Sequence, residues 1–329
     1  MRKFHKTTCV VLTLILFLFT LSSCTPNATP VTKSAFFFNT YINITFYSDK
    51  DAQKFSGCET LCRKYENMLS RTVSGSDIER INSAKGEWVE VDAECADLIR
   101  DALSFCEETN GAVDITIAPL MDAWDFTGEE ENKTPPSLEE IDRLLTHVNY
   151  KNVETDGNKV RITDPEAAID LGFIAKGFIA DRIKEYLIDQ NVKSALINLG
   201  GNIQLVGSKP DGGDYNIGVQ KPFSQNGEYL TTVSIKDTSL VTSGIYERCF
   251  TYQERLYHHI LDPRTGYPIE NGLSQVTILC TSSETADALS TSLMLLGKEK
   301  GTELLSKYDA HAIFTLSDDT LEYSPDFPE

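Results

Sequence analysis

The stretch Asp170-Leu-Gly-Phe-Ile-Ala-Lys-Gly-Phe-Ile-Ala-Asp181 constrains this chain more than any other. It follows a β-like run, Lys159 to Ile162 and then Ala167 to Ile169, and it opens a helix with Ile179, Ile183, Tyr186 and Leu187 on one face. Gly172 and Gly177 let a backbone approach a ligand closely, and the free N–H groups of a helix start attract phosphate. Asp170 and Lys176 place one acceptor and one cation at the same junction. A plain strand-to-helix turn with solvated charges has the same pattern, so the reading turns on two later stretches.

Tyr257-His-His-Ile-Leu-Asp-Pro-Arg-Thr-Gly266 is an apolar strand with paired histidines that runs into a proline- and glycine-bearing turn. One histidine in a strand is ordinarily structural. Two side by side, ahead of an Asp and an Arg in a tight turn, are candidates for a general base and its neighbour. Thr281 to Gly297 reads as a helix capped by Ser282 or Ser283 and ended by Gly297. Asp287 and Thr291 lie four apart and so share a face, with Ser290 adjacent. A carboxylate with hydroxyl oxygens is a donor set suited to Mg²⁺, although a polar helix face with a local hydrogen bond has the same spacing.

The chain starts with an address. Arg2, Lys3 and Lys6 precede an apolar run from Cys9 to Leu21, and Leu21-Ser-Ser-Cys24 follows. This is the pattern of a secretory signal, and the run is short for a membrane span. Cysteine directly after Leu-Ser-Ser resembles a bacterial lipobox, which makes residues 1–23 a signal peptide and Cys24 a lipidated N-terminus. Residues 24–34 then read as a tether to the extracytoplasmic face of a bacterial membrane, and residues 35–329 as one folded unit. The 30 Lys and Arg against 49 Asp and Glu give a net charge of −19. Arg2, Lys3 and Lys6 all leave with the signal, so the mature chain stands at −22. Such an acidic surface excludes nucleic acid as a partner, which needs a basic footprint. Beyond Cys24 the cysteines are Cys58, Cys62, Cys95, Cys106, Cys249 and Cys280, in no zinc or redox spacing. Cys58 and Cys62 read as buried thiols on an apolar helix face, with disulfide pairing left open.

Between these landmarks helices and strands alternate. Thr40 to Tyr47 is a half-buried strand, Asp49 to Ser70 an amphipathic helix, and Ser76 and Ser137 each cap a helix with a Glu three residues on. Ala93 to Thr109 is a helix stopped by Asn110-Gly111. Ala112 to Leu120 reads as a strand ending at Pro119. Gly128 to Pro136 is an acidic surface loop. Ala195 to Leu199 is a buried strand entering Gly200-Gly201, and Tyr215 to Tyr257 is β-rich, with Phe250 to Tyr257 continuing the sheet.

Six pieces taken in order resemble the FAD:protein FMN transferase (ApbE) family: Gly111-Ala-Val-Asp-Ile-Thr-Ile-Ala-Pro-Leu120, Asp170-Leu-Gly-Phe-Ile-Ala-Lys-Gly177, Asn198-Leu-Gly-Gly-Asn202, Thr242-Ser-Gly244, His259-Ile-Leu-Asp-Pro-Arg-Thr-Gly266 and Ala286-Asp-Ala-Leu-Ser-Thr291. The resemblance implies an α+β fold of two interlocked lobes, with mixed and antiparallel sheets and a deep FAD cleft. It implies Mg²⁺-dependent transfer of the FMN half of FAD to a threonine hydroxyl of an acceptor flavoprotein, releasing AMP; Mn²⁺ shares the same oxygen ligands. Carried over by position, Asp287 and Thr291 hold the metal with Ser290 and the Phe173 backbone nearby. Asp170 meets the adenine amine, and Lys176 and the Ile260 backbone line the FAD site. Ala112, Val113 and Asp114 run along the flavin, and His259 is the base. Phe38 stands where the family often has Met, and Thr72 where it has an aromatic residue. An FAD pyrophosphatase using the same site, or a non-catalytic flavin-binding lipoprotein, are the alternatives.

Overall fold

The computed structural model describes residues 29–127, 133–224 and 227–328. The signal 1–23, Cys24 and the acidic loop at 128–132 lie outside the described residues. A hairpin of β1 (Val31–Phe37) and β2 (Thr40–Phe46) comes first. Helices α1 (Asp49–Ala52), α2 (Phe55–Leu69) and α3 (Asp77–Ser83) follow, then β3 (Val89–Glu90), α4 (Ala93–Glu108), α5 (Ala118–Trp124) and α6 (Leu138–Leu145). The short strands β4 (Val153–Asp156) and β5 (Lys159–Ile162) lead to α7 (Ala175–Asp189). Strands β6 (Ala195–Leu199), β7 (Asn202–Val206), β8 (Tyr215–Gln220), β9 (Tyr229–Ile235), β10 (Ser239–Gly244), β11 (Cys249–Tyr252), β12 (Arg255–His258) and β13 (Leu273–Cys280) then precede α8 (Ser283–Leu305), β14 (Ala310–Leu316) and β15 (Leu321–Tyr323).

One sheet organises these elements, in the order β1-β2-β6-β7-β10-β13-β14-β15, and every neighbouring pair in it is antiparallel. Its period-2 residues explain what covers each face. Ile42, Ile44, Phe46, Ile197, Val276 and Ile278 point into the main core with α2, α4, α7 and α8. Leu205, Leu240, Leu279 and Ile313 point the other way, against Tyr215, Val219, Val233 and Ile235 of the β8–β9 hairpin. Covered on both faces, β13 is buried along its whole length. Trp124, Phe126, Leu120, Ile141 and Leu261 form a smaller core beneath α5 and α6.

Several expectations change. β1 pairs with β2 from Val31 onward, because Val31 opposes Phe46 in register, so residues 31–34, expected as tether, stand in the first strand. Residues 112–120 are not a strand: Asp114 Oδ1 accepts the Thr116 N–H at 2.8 Å and turns the chain, and Pro119 stands in the first turn of α5. Proline tolerates a helix start, where its missing N–H has no partner to lose. The helix expected from Asp49 to Ser70 breaks at Gln53–Lys54, where Lys54 N–H bonds Asp51 O in a tightened turn. Phe250 to Tyr257 leaves the main sheet as a separate hairpin, β11–β12. Gln253 and Glu254 both adopt positive φ (48° and 66°), so the turn closes the two strands on each other. Gly297, with φ 74°, kinks α8, which then resumes to Leu305. The six described cysteines are free thiols, and Cys58 and Cys62 are buried as expected.

Candidate active site

The crossing of α7 over α8 builds one wall of the site. Gly177 lies so close to α8 that a Cβ there would come within 2.1 Å of the Ser283 carbonyl oxygen and 2.7 Å of Asp287 Cβ. That approach lets the Gly177 N–H donate to Asp287 Oδ2 at 2.9 Å. Asp287 Oδ1 faces Lys176 Nζ at 3.7 Å, and Asp287 itself is only 2% exposed. Burial pushes its carboxyl above the usual carboxylate range, and the Lys176 ammonium and Gly177 N–H pull it back. One turn on, Ser243 Oγ at the end of β10 lies 2.7 Å from Ser290 Oγ and 3.0 Å from Thr291 Oγ1. Ser290 is fully buried and donates to the Asp287 carbonyl at 2.8 Å, so it braces the helix from behind.

The chain that follows Gly244 builds the opposite wall. The expected pair of histidines divides between two roles. Both ring nitrogens of His258 are engaged: Nε2 with Ile269 O at 3.0 Å, and Nδ1 accepting from the Ile260 N–H at 3.3 Å. His259 turns toward the cleft and leaves a buried Nδ1 with no partner among the described residues. Burial, reinforced by Arg248, His258 and Lys176, pushes its imidazole down to about 3, so the ring is neutral across the physiological range. Glu247 is an exposed residue on the lining of the same cleft. Desolvation at the cleft wall raises its carboxyl to about 7 against the pull of Lys176 and Arg248.

A cleft of about 1040 Å³ joins the two walls. That is the upper end of ligand-pocket sizes and room for a dinucleotide. Its lining includes Phe38, Thr72, Val113, Asp114, Asp170, Phe173, Lys176, His259, Ile260 and Thr291 from the sequence-derived set. Ala112 is 3% exposed and lies off the lining, because the turn at Asp114 folds it inward. Asp114 reaches the lining, but its carboxylate is spent on Thr116 (2.8 Å to N, 2.5 Å to Oγ1) and on the Tyr150 N–H at 2.8 Å. It shapes this end of the cleft. Asp170 accepts the Gly172 N–H at 2.6 Å and pairs with Arg71 Nε at 2.8 Å, and Arg71 in turn meets Asp122 at 2.5 Å. Phe38 sits at φ 55° with its N–H on Glu66 Oε1 at 2.8 Å, at the cleft edge.

The ApbE family model matches residues 38–314. The chain belongs to the ApbE family. An FAD:protein FMN transferase of Klebsiella pneumoniae (strain 342) is 37% identical over 269 residues, 80% of this chain and 83% of that one. The crystal structure of the ApbE protein of Thermotoga maritima superposes with a TM-score of 0.83 at 34% identity, covering 90% of this chain and 97% of that one. The apo flavinyl transferase ApbE of Pseudomonas stutzeri gives a TM-score of 0.78 at 26% identity, covering 90% and 95%.

In this ApbE-family chain the donor set around Asp287 suits a hard divalent cation. Among the described residues no cluster of three or more His, Cys, Asp or Glu could hold a metal, so the set is one carboxylate with oxygens. Asp287 Oδ1 lies 3.7 Å from Lys176 Nζ, a loose ion pair for a carboxylate this deep. The hydroxyls of Thr291 and Ser243 supply neutral oxygens of the kind Mg²⁺ accepts alongside water and phosphate. Sequence reasoning missed Glu247, Arg248, Arg71 and the part played by Ser243. A Glu-Arg pair two residues after Thr242-Ser-Gly244, flanked by Ile245-Tyr246 and Cys249-Phe250, was the available signal.

Proposed function

We propose that this chain transfers the FMN half of FAD to a threonine hydroxyl of an acceptor protein, with AMP as the leaving group. The observation that carries this reading is the convergence on one dinucleotide-sized cleft of Lys176, Thr291 beside Asp287, and a neutral His259 with a free ring nitrogen. Family membership supports it, since the curated relatives bear that activity in their names.

Phosphoryl transfer asks the protein for positioning and charge neutralisation. Lys176, on the cleft lining at the start of α7, offers a cation to the pyrophosphate. Asp287, Thr291 and Ser243 are the residues that would hold Mg²⁺, which when bound neutralises charge on the departing phosphate oxygens. The acceptor threonine Oγ forms the new bond to the FMN phosphorus while the bond to the AMP oxygen breaks. Its proton passes to His259. Free His259 is a weak base first because it is buried and then because Arg248, His258 and Lys176 stand close; phosphates seated between Arg248 and Lys176 offset that part of the effect and raise its basicity.

The test incubates the protein with FAD and Mg²⁺, with and without a threonine-bearing acceptor domain, and separates AMP, FMN and protein-bound flavin. Transfer gives AMP with flavin attached to the acceptor. AMP and FMN in equal amounts with no adduct would make the protein an FAD pyrophosphatase. Lipidation at Cys24, with attachment to the outer face of a bacterial membrane, is also proposed, from the leader pattern Leu21-Ser-Ser-Cys24. Mass spectrometry of the native N-terminus checks it, and an unmodified Cys24 contradicts it.

A further inference from the structure

We infer that Asp181 is a positioning residue for the reaction: from α7 it fixes the start of α8, and so sets where Asp287 and Thr291 stand against Lys176. This rests on the metal-assisted transfer read above.

Asp181 closes the central sequence stretch, one helical turn beyond Gly177 and on the same face of α7. Its carboxylate takes four donors. Oδ1 accepts the Ser283 N–H at 3.0 Å and Gln204 Nε2 at 3.1 Å; Oδ2 accepts Ser282 Oγ at 3.0 Å and the Glu284 N–H at 3.0 Å. Ser283 and Glu284 are the first two residues of α8, whose N–H groups have no partner inside the helix. Ser282 already caps α8 through the Thr285 N–H, so Asp181 adds a second cap supplied by a different helix. An anion there also suits the positive end of the helix dipole.

The two helices are thus pinned at two points one turn apart: Gly177 on Asp287, and Asp181 on the helix start. With both pins in place α8 can neither slide along nor rotate against α7. Gln204 shows what holding the second pin costs. It is fully buried, its amide nitrogen serves Asp181, and its Oε1 has no hydrogen-bond partner among the described residues. An apolar side chain of that size would avoid the unsatisfied acceptor, so the glutamine is there for its donor.

Two variants test this. Asp181→Asn keeps the shape but sets an amide NH₂ against two donors whichever way it is turned. Gln204→Leu removes one donor from Asp181 together with the orphan acceptor, and leaves the catalytic groups untouched. Mn²⁺ binding to the FAD-loaded protein is measured by paramagnetic resonance, beside thermal midpoints and the Mg²⁺ dependence of FAD turnover. For Asp181→Asn the Mn²⁺ dissociation constant and the half-saturating Mg²⁺ should both rise about tenfold, the low end for losing a support of a metal ligand. Its kcat at saturating Mg²⁺ should stay near wild type. Gln204→Leu should move the same two constants about two- to threefold, in proportion to one lost donor of four, with a melting temperature at or above wild type. A cation affinity that moves while stability does not is something a merely structural cap would not produce. Unchanged Mn²⁺ affinity in Gln204→Leu and in any folded Asp181→Asn overturns the inference, as does a wild type that turns FAD over without binding Mn²⁺. A wild type that binds Mn²⁺ but turns over no FAD sinks the transferase reading instead, and the Mn²⁺ comparison still decides the role of Asp181.

Discussion

The two walls of the cleft handle their polar groups in opposite ways. On the α7–α8 side the cleft-wall carboxylates are held from within the protein: Asp287 Oδ2 has the Gly177 N–H, Ser290 has the Asp287 carbonyl, and Asp181 has four donors. Buried atoms left over there, Gln204 Oε1 and Arg182 Nε among them, lie behind these groups, off the cleft lining. On the side that follows β10, His259 keeps on the cleft lining a buried Nδ1 that has no partner among the described residues, and the exposed Glu247 carboxyl opens onto the same cleft. A buried polar group without a partner is costly, and such groups persist where a ligand supplies the partner. One wall is therefore a frame that holds its shape without substrate. The other is completed by what binds.

The frame should break hardest. Asp287→Ala removes the one charged oxygen ligand of the proposed metal set and leaves Lys176 without its anion, so FAD cleavage should fall to background while circular dichroism shows a folded protein. Normal turnover at limiting Mg²⁺ in that variant would end the assignment. Gly177→Ala reaches the same wall by a different route, because its Cβ lands on the Ser283 backbone, which no rotamer change relieves. Forcing the helices apart should cost about 1–3 kcal/mol of stability, the usual cost of overpacking, and should also displace the Gly177 N–H from Asp287. Denaturant midpoints and activity should therefore fall together. Thr291→Val is milder, since water can replace a neutral hydroxyl ligand; it should raise the Mg²⁺ requirement and leave kcat at saturating Mg²⁺ within a few-fold.

The substrate-completed wall should separate chemistry from stability. His259→Ala should lower the transfer rate by a factor of roughly 10²–10⁴, the range for a lost general base, with little change in melting temperature. His258→Ala should do the reverse, since both of its ring nitrogens serve the backbone. The pH profile sharpens the contrast. The imidazole of free His259 is held at about 3, so kcat/KM should show no acid limb of its making near 6.5. Its titration should emerge in kcat, which reports the complex in which phosphates offset Lys176 and Arg248. A kcat/KM limb at ordinary histidine pH that disappears in His259→Ala would show that the free residue is not held neutral.

The same contrast explains what could be read from the sequence. The helix-borne groups were legible because spacing on a helix fixes a face: Asp287 and Thr291 four apart, Lys176 and Gly177 at a helix start, Ser76 and Ser137 as caps. Alternation on a strand likewise put one histidine of the pair in the cleft. Groups that depend on long-range closure were not legible. Asp181 and Ser283 are 102 residues apart, and nothing local in either segment marks the bond. Residues 112–120 misled because Ala-Val-Asp-Ile-Thr-Ile alternates like a strand, while the turn is made by the Asp114 side chain and the helix by what Trp124 packs against. The β11–β12 hairpin misled for a related reason. Its aromatics Phe250 and Tyr257 look like sheet residues but pack at a tilt against Trp124, a contact that only the tertiary fold creates.

One carboxyl at the start of α8 is poorly placed, and it gives the smallest effect. Glu284, at the start of α8, has its carboxyl pushed up to about 7 by burial, with Asp101 and Asp181 adding repulsion against the pull of Arg182. Its unfolded value is 4.5, so the folded state favours the protonated form. Stability from this group is fully present below pH 4.5, declines as pH rises, and is gone above about 7. Glu284→Gln keeps the shape and a donor toward Asp101 at every pH. Its advantage over wild type should be near zero at pH 4 and grow through the acid-to-neutral range. It should level off above pH 7 at about 1–2 kcal/mol, once screening of a partly exposed carboxyl is discounted. Urea midpoints of the two proteins at pH 4, 6 and 8 measure the slope directly. Two curves that run parallel would mean that Glu284 is paired as well as its neighbours, and that the α7–α8 frame has no weak point at the helix start.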